Sequence, residues 1–260
     1  MANIDKHPPG SFCWLELATT DQKSAKSFYS LLFGWSSNEF PIGEGEMYTI
    51  FQLKGRDAAA GYTMRKEQRT QGIPSHWMLY ISAASADQTQ EKARQAGGTI
   101  LQPAFDVAQN GRMAVLKDAT GAIFSVWQPN QTQGIAIANE DNSFCWADLN
   151  TSAADRASKF YSSVFGWKFE KSQHDSSGYL HIKNGEQFIG GIPPLEPGEA
   201  HLPPHWLAYF MVADAEATQK KAADLGAKIL MPAHKMEGVG TWAIVADPQG
   251  AVFAVFKPGR

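Results

Sequence analysis

The sequence predicts an α+β protein of two tandem domains, each assembled from two βαβββ modules. Two observations carry that expectation. Ser11-Phe12-Cys13-Trp14 returns 132 positions later as Ser143-Phe144-Cys145-Trp146, and Phe28-Tyr29 with Phe33-Gly34-Trp35 returns at the same shift as Phe160-Tyr161 with Phe165-Gly166-Trp167. From His76 to Gln128 the shift becomes 129 and carries 21 identities in 53 ungapped pairs, where ordinary composition gives about 3. A period this long encloses a full set of elements, so the repeats are domains and not the short units of a solenoid.

Each copy opens with a short aromatic and aliphatic strand, residues 11 to 17. Thr19-Thr20-Asp21 then supplies helix N-cap chemistry, and Ala25, Phe28 and Leu32 recur at helical spacing up to Gly34. The twin helix runs from Thr151-Ser152 through Ala157, Phe160 and Val164 to Gly166. Strands follow, among them 47 to 53 and 58 to 64, matched by 179 to 183 and 187 to 192. The unit then repeats inside the copy. Residues 76 to 81 read as a strand, 86 to 96 as a helix stopped by Gly97-Gly98, and 100 to 101, 113 to 116 and 122 to 127 as strands. The expected domains are 11–128 and 143–258, joined by a polar linker at 129–142.

Composition narrows the function. At 43% hydrophobic residues, with no apolar run near the about 20 residues a membrane helix needs, the chain reads as soluble. The 23 basic residues are dispersed and the net charge is −3, which argues against nucleic acid. Residues 1 to 10 are polar and carry Pro8-Pro9, unlike a secretory signal, and are expected to form a disordered lead. Cys13 and Cys145 are expected as buried reduced thiols, which fits the cytoplasm. No nucleophile elbow and no phosphate loop is present.

The ordered set of Phe-Tyr, the Phe-Gly-Trp helix end, and the turns Asp118-Ala119-Thr120-Gly121 and Asp247-Pro248-Gln249-Gly250 before the last strands resembles the vicinal oxygen chelate superfamily, two-domain glyoxalase-like branch. That superfamily includes glyoxalases, bleomycin-resistance proteins and extradiol dioxygenases. The resemblance implies an incomplete eight-stranded barrel around a cavity in each domain. It also implies a divalent metal held by a His on the first strand of each module and a Glu on the last. At those positions stand Trp14, His76 and Ser125 in the first copy, and Trp146, His205 and Ala254 in the second. An indole cannot ligate a metal, so no metal and no cofactor is expected at the family's position. The second copy has further histidines, His174, His181, His201 and His234. A cluster of His205, His234 and Glu237 there stays open as an alternative, although Phe105 and Ala108 are the first-copy equivalents of the latter two.

Strand alternation places Phe12, Trp14 and Glu16 on one face, which the resemblance implies is the cavity face, and the same logic turns His76, Met78 and Tyr80 of the second module inward. The second copy gives Trp146, Asp148, His205, Leu207 and Tyr209. The expected ligand-lining residues are therefore Trp14, Glu16, His76, Tyr80 and Ser125, and Trp146, Asp148, His205 and Tyr209. A small planar or cationic molecule suits such a wall. In an enzymatic alternative, a glyoxalase-type lyase or an oxygenase, Glu16 or Asp148 is a general base and His76 or His205 its proton partner. A third possibility is a structural role in which the indoles fill the cavities and each His bonds its neighbouring carboxylate. Trp35, Trp77, Trp167 and Trp206 are expected in core or domain packing, and the Gly190-Gly191 and Ala60-Gly61 pairs at a close backbone approach. A monomer or homodimer is expected.

Overall fold

The computed structural model describes residues 4–43, 45–171, 178–195 and 202–259. In the first copy β1 (Phe12–Thr19) leads into α1 (Gln22–Phe33), then β2 (Ser36–Pro41), β3 (Met47–Leu53), β4 (Arg56–Thr63) and a short α2 (Lys66–Thr70). The second module has β5 (His76–Ser82), α3 (Ala86–Gln95), β6 (Thr99–Val107), β7 (Gly111–Lys117) and β8 (Ile123–Pro129). The second copy repeats this as β9 (Phe144–Asn150), α4 (Ala154–Phe165), β10 (Lys168–Lys171), β11 (Leu180–Asn184), β12 (Gln187–Ile192), β13 (His205–Met211), α5 (Ala215–Asp224), β14 (Lys228–Met236), β15 (Gly240–Ala246) and β16 (Val252–Pro258).

Each copy forms one eight-stranded sheet, ordered β2-β3-β4-β1-β5-β8-β7-β6 and β10-β11-β12-β9-β13-β16-β15-β14. The two modules meet at the antiparallel pair β1 and β5, while within each module the first and last strands run parallel. The edge strands do not pair, so neither sheet closes into a barrel. Residues of both β2 and β6 nonetheless line one cavity in the first copy, so that sheet curls around it.

Local chemistry accounts for the helices. Asp21 caps α1 by accepting from Ser24 N at 2.9 Å, and Gly34 ends it at φ 72°, a left-handed conformation costly for residues with a Cβ. Gly166 ends α4 in the same way at φ 73°. The start of α4 departs from its twin. Its N-cap is Ala153 with no side-chain cap, and Thr151 Oγ1 instead accepts from Ala153 N.

The helices and the outer sheet faces lie between the copies, which are latched reciprocally. Tyr29 of α1 donates to Asp247 Oδ2 of the other copy at 2.9 Å and accepts from Trp77 Nε1 at 3.1 Å. Tyr161 of α4 donates to Asp118 Oδ2 at 3.0 Å and accepts from Trp206 Nε1 at 2.8 Å. In both aspartates the second oxygen receives backbone N–H groups of its own Asp-x-x-Gly turn. Around these bonds Phe33, Trp35 and Trp77 pack on Phe210, while Phe12 packs on Trp167 and Trp206. The four tryptophans expected in packing, Trp35, Trp77, Trp167 and Trp206, are all buried here.

Two expectations are corrected. A bulge between Phe12 and Trp14 breaks the alternation of β1, turning Phe12 away from the cavity and into the interdomain aromatic cluster. The segment before β1 is not a loose lead from Ile4 onward. His7 is buried with Nε2 2.8 Å from Ile135 O, Ile4 N donates to Ala136 O, and Asn184 of the other copy donates to Pro9 O. The linker it rests on is itself anchored, with Ile135 and Ile137 buried and Ile135 N bonded to Cys13 O.

Removing a latch hydroxyl leaves a buried acceptor and a buried indole N–H without their partner. Tyr29→Phe and Tyr161→Phe are each expected to lower unfolding stability by about 1–3 kcal/mol, read from denaturant midpoints.

Candidate functional site

In the first copy the inward residues converge on one carboxylate. Glu16 of β1 accepts from Tyr80 at 2.8 Å through Oε1 and from Tyr48 at 2.6 Å through Oε2. Trp14 Nε1 donates to the Tyr48 hydroxyl at 3.1 Å, fixing the phenol with its proton toward Glu16. The pairing explains the convergence: Trp14 lies opposite Tyr80 and Glu16 opposite Met78 across β1 and β5, and Glu16 lies beside Ala60 on β4. Burial raises the Glu16 pKa, and the two phenol bonds oppose that shift without reversing it. Tyr48 and Tyr80 are pushed far up by burial and by the Glu16 charge, so both remain donors. Tyr62 is raised too, by burial first and partly by Glu16.

These groups border an open cavity of about 2010 Å³. Trp14, Ile50, Met113 and Trp127 supply its wall, with Phe40, Ile42, Met47 and Phe105 exposed at its mouth.

The second copy repeats the constellation. Trp146 Nε1 donates to Tyr179 at 2.8 Å and to Asp148 Oδ1 at 3.1 Å, and Tyr179 donates to the same oxygen at 2.5 Å. Tyr209 adds a further bond to Asp148. Burial raises the Asp148 pKa against these bonds. Gly191 lies directly beneath the Tyr179 hydroxyl, where a Cβ would collide with it, and a Cβ on Gly190 would likewise collide with Ala147 O. His181 packs its ring against Tyr179, Trp146 and Phe188.

The structure thus brings together Trp14, Glu16 and Tyr80, and Trp146, Asp148 and Tyr209. It does not bring the two histidines to the carboxylates. His76 lies at the end of β5 opposite Ala18, with Nδ1 2.8 Å from Pro74 O, and His205 has Nδ1 2.9 Å from Pro203 O. His76 is absent from the cavity lining, and the partners of Glu16 are phenols. Ser125 is fully buried beside Tyr80 in the sheet, outside that lining, and its Oγ has no hydrogen-bond partner among the described residues. Tyr48 and Tyr179 are the functional residues missed from sequence. Their signal is an intermediate shift of 131 positions, between the 132 of the first modules and the 129 of the second.

The family's metal does not fit these residues. Of the three ligand positions in the first copy one is an indole without a lone pair, one an imidazole bonded to its own chain, and one a hydroxyl sealed in the sheet. Among the described residues no three His, Cys, Asp or Glu side chains come together, so His205, His234 and Glu237 do not converge. The His234 ring lies against Trp242 instead. His174 and His201 lie outside the described residues. Cys13 and Cys145 are free, and burial raises both thiol pKa values, which disfavours the nucleophilic thiolate. No described helix is long and apolar enough to cross a membrane.

Two βαβββ modules joined into one eight-stranded sheet, present twice in one chain, are the architecture of a known superfamily. The profile of the Glyoxalase/Bleomycin resistance protein/Dioxygenase superfamily matches residues 11–126 and 143–255, and the chain belongs to that family. It is 36% identical to the protein named Putative glyoxylase CFP32 of Mycobacterium tuberculosis, over 99% of this chain and 98% of that protein. It is 29% identical to the Anthracycline biosynthesis protein DnrV of Streptomyces peucetius, over 98% of this chain and 95% of that protein. The fold is shared with the Mn(II)-bound glyoxalase from Novosphingobium aromaticivorans, at TM-score 0.66 and 13% identity over 96% of this chain and 82% of that one. It is shared equally with the 2,3-dioxygenase LapB from Pseudomonas sp. KL28, at TM-score 0.66 and 11% identity over 100% and 94%.

The raised carboxyl pKa values set a pH dependence of stability. A carboxyl whose folded pKa lies above its unfolded value favours folding below the unfolded value, and that stabilisation is lost as pH rises through the folded one. Glu16→Gln and Asp148→Asn remove the loss. Each variant is expected to gain stability relative to the parent as pH rises from the ordinary carboxylate range toward neutrality, measured as the difference in melting temperature along a pH series.

Proposed function

We propose that this protein binds a small organic molecule in the first-copy cavity without a metal ion. The observation that carries the reading is Glu16, half-buried at the cavity wall between two phenol donors and backed by an indole. Aromatic and apolar side chains around a small number of fixed polar groups are the usual composition of a small-molecule site, and Trp14, Ile50, Met113 and Trp127 beside Glu16 supply that combination. The Anthracycline biosynthesis protein name of one relative is consistent with a polycyclic aromatic ligand. The free thiols, Cys13 buried and Cys145 half-buried, fit action in a reducing compartment such as the cytoplasm, as a monomer whose two copies already cover each other. Chelator-treated protein is expected to show saturable quenching of indole emission by some member of an aromatic metabolite panel. At a hundredfold excess over Kd, the ligand should stabilise the fold by about 2.7 kcal/mol. A response that appears with added divalent metal and not in its absence would overturn the metal-free reading.

A second reading, an enzyme, is favoured by the same carboxyl. A half-buried acid with a raised pKa, hydrogen-bonded to phenols, suits general acid–base work, and the glyoxylase name of one relative points the same way. The proton partner of Glu16 is then Tyr48 or Tyr80 in place of His76. Under this reading Glu16→Gln lowers turnover of whatever substrate a screen identifies by about 10²–10⁴-fold, whereas His76→Gln leaves it close to the parent's. Equal rates in the parent and Glu16→Gln would remove the mechanism.

A further inference from the structure

We propose that the ligand of the first-copy cavity is an organic cation with a flat apolar body, its positive charge seated against Glu16 within a cage made by Trp14, Tyr48, Tyr62, Tyr80 and Trp127. This rests on the cavity reading above and adds the charge of the occupant.

The first argument is electrostatic. Among the described residues Glu16 forms no ion pair: its hydrogen-bond partners are the two phenol hydroxyls, and no basic side chain stands close enough to hold its charge. Those two bonds occupy one lone pair on each oxygen, and an ionised carboxylate has about four acceptor positions in all. A buried carboxylate without a cation is costly, and a cation arriving from the cavity offsets that cost. An anion meets repulsion at the same place, and a neutral guest leaves the charge uncompensated.

The second argument is the wall. Trp14, Tyr48, Tyr62, Tyr80 and Trp127 all border the same cavity as Glu16. Aromatic faces carry negative potential and attract a cation by about 0.5–2 kcal/mol, more when water is excluded. The phenol protons of Tyr48 and Tyr80 are turned toward Glu16, so those hydroxyls do not present donors to an anion. Basic side chains do border the cavity, but at its rim: Lys23, Arg65, Lys66 and Arg69 are exposed, while Lys26 and Arg65 are paired to Glu39 and Glu46. Over the whole lining seven acidic side chains face five basic ones, which leaves the balance in favour of a cation. Exposed Phe40, Ile42, Met47 and Phe105 at the mouth then receive the apolar body.

The charged and titratable groups around Glu16 are Tyr48 from β3, Tyr62 from β4 and Tyr80 from β5, and all three phenols stay protonated through neutrality. Binding of a cation therefore favours the ionised form of Glu16 alone, and its affinity should fall as pH is lowered.

The test uses matched probes on the full chain: N-methylquinolinium against its neutral isostere 1-methylnaphthalene and the anion 2-naphthoate, followed by ligand-observed NMR. A set of larger fused-ring quaternary cations, each with its neutral isostere, extends the series. The expected result is that the cations bind at least about tenfold more tightly than their isosteres, that 2-naphthoate does not bind, and that cation affinity weakens on acidification while the isosteres' does not. Glu16→Gln, checked for a native melting transition, should bring cation and isostere within about threefold of each other. Glu186→Gln, at an exposed carboxylate of the other copy, should leave the ratio unchanged. Equal binding of cation and isostere by the parent would overturn the inference and leave the cavity reading standing, as would a cation preference indifferent to both pH and Glu16→Gln. Saturable binding by no probe of any charge would overturn both.

Discussion

The structure depends on a pair of hydrogen bonds that cross between its two halves. Each half ends on a strand introduced by an Asp-x-x-Gly turn, and each turn aspartate spends one oxygen on its own backbone and the other on a tyrosine of the opposite half. Those tyrosines sit on the first helices, next to the phenylalanine of the Phe-Tyr motif, and each is held in turn by an indole from β5 or β13. The bonds are buried, so their loss is not compensated by water. They fix which sheet faces turn toward the other half and therefore which face is left to form a cavity. On β5 the consequence is visible within a few residues: Trp77 points to the latch and Tyr80 to Glu16.

The cavity chemistry follows from the indole beside the carboxylate. An indole at position 14 forfeits coordination but gains a donor, and that donor orients Tyr48 so that its hydroxyl can only give its proton to Glu16. The second half achieves the same arrangement with a shorter acid. Asp148 is reached by Tyr179 settling onto a glycine, which compensates for the missing methylene. In both of these acids, each surrounded by phenols and an indole, the carboxyl pKa is displaced upward because burial dominates.

Much of this was legible in the sequence. The repeat and the helix punctuation at Asp21, Gly34 and Gly166 gave the paired modules, since caps and left-handed glycines are local effects that need no partner. Alternation along β1 and β5 placed Trp14, Glu16 and Tyr80 on one face, and the structure joins them. It failed at Phe12 because a bulge is set by pairing across strands, which one strand does not record. The histidines misled for a related reason: His76 has the right parity but stands one pair too far along β5, level with Ala18, and a face assignment carries no information about depth. Tyr48 and Tyr179 were hidden by a change of repeat offset in the loops before them. The order of residues 4 to 10 was invisible because it comes from Ile135, Ala136 and Asn184, far away in the chain.

The reciprocal latch has a consequence for biosynthesis. Tyr29 and Phe33 emerge long before Asp247 and Phe253, their partners across the interface. At about 5–20 residues per second, the ribosome takes roughly 10–45 s to cover that interval. Throughout it Tyr29 lacks its aspartate, whereas Asp118 gains its phenol, Tyr161, only 43 residues after its own synthesis. The nascent chain is therefore most vulnerable to misassembly in the middle of its synthesis, when one half is complete enough to collapse and the half that covers it does not yet exist.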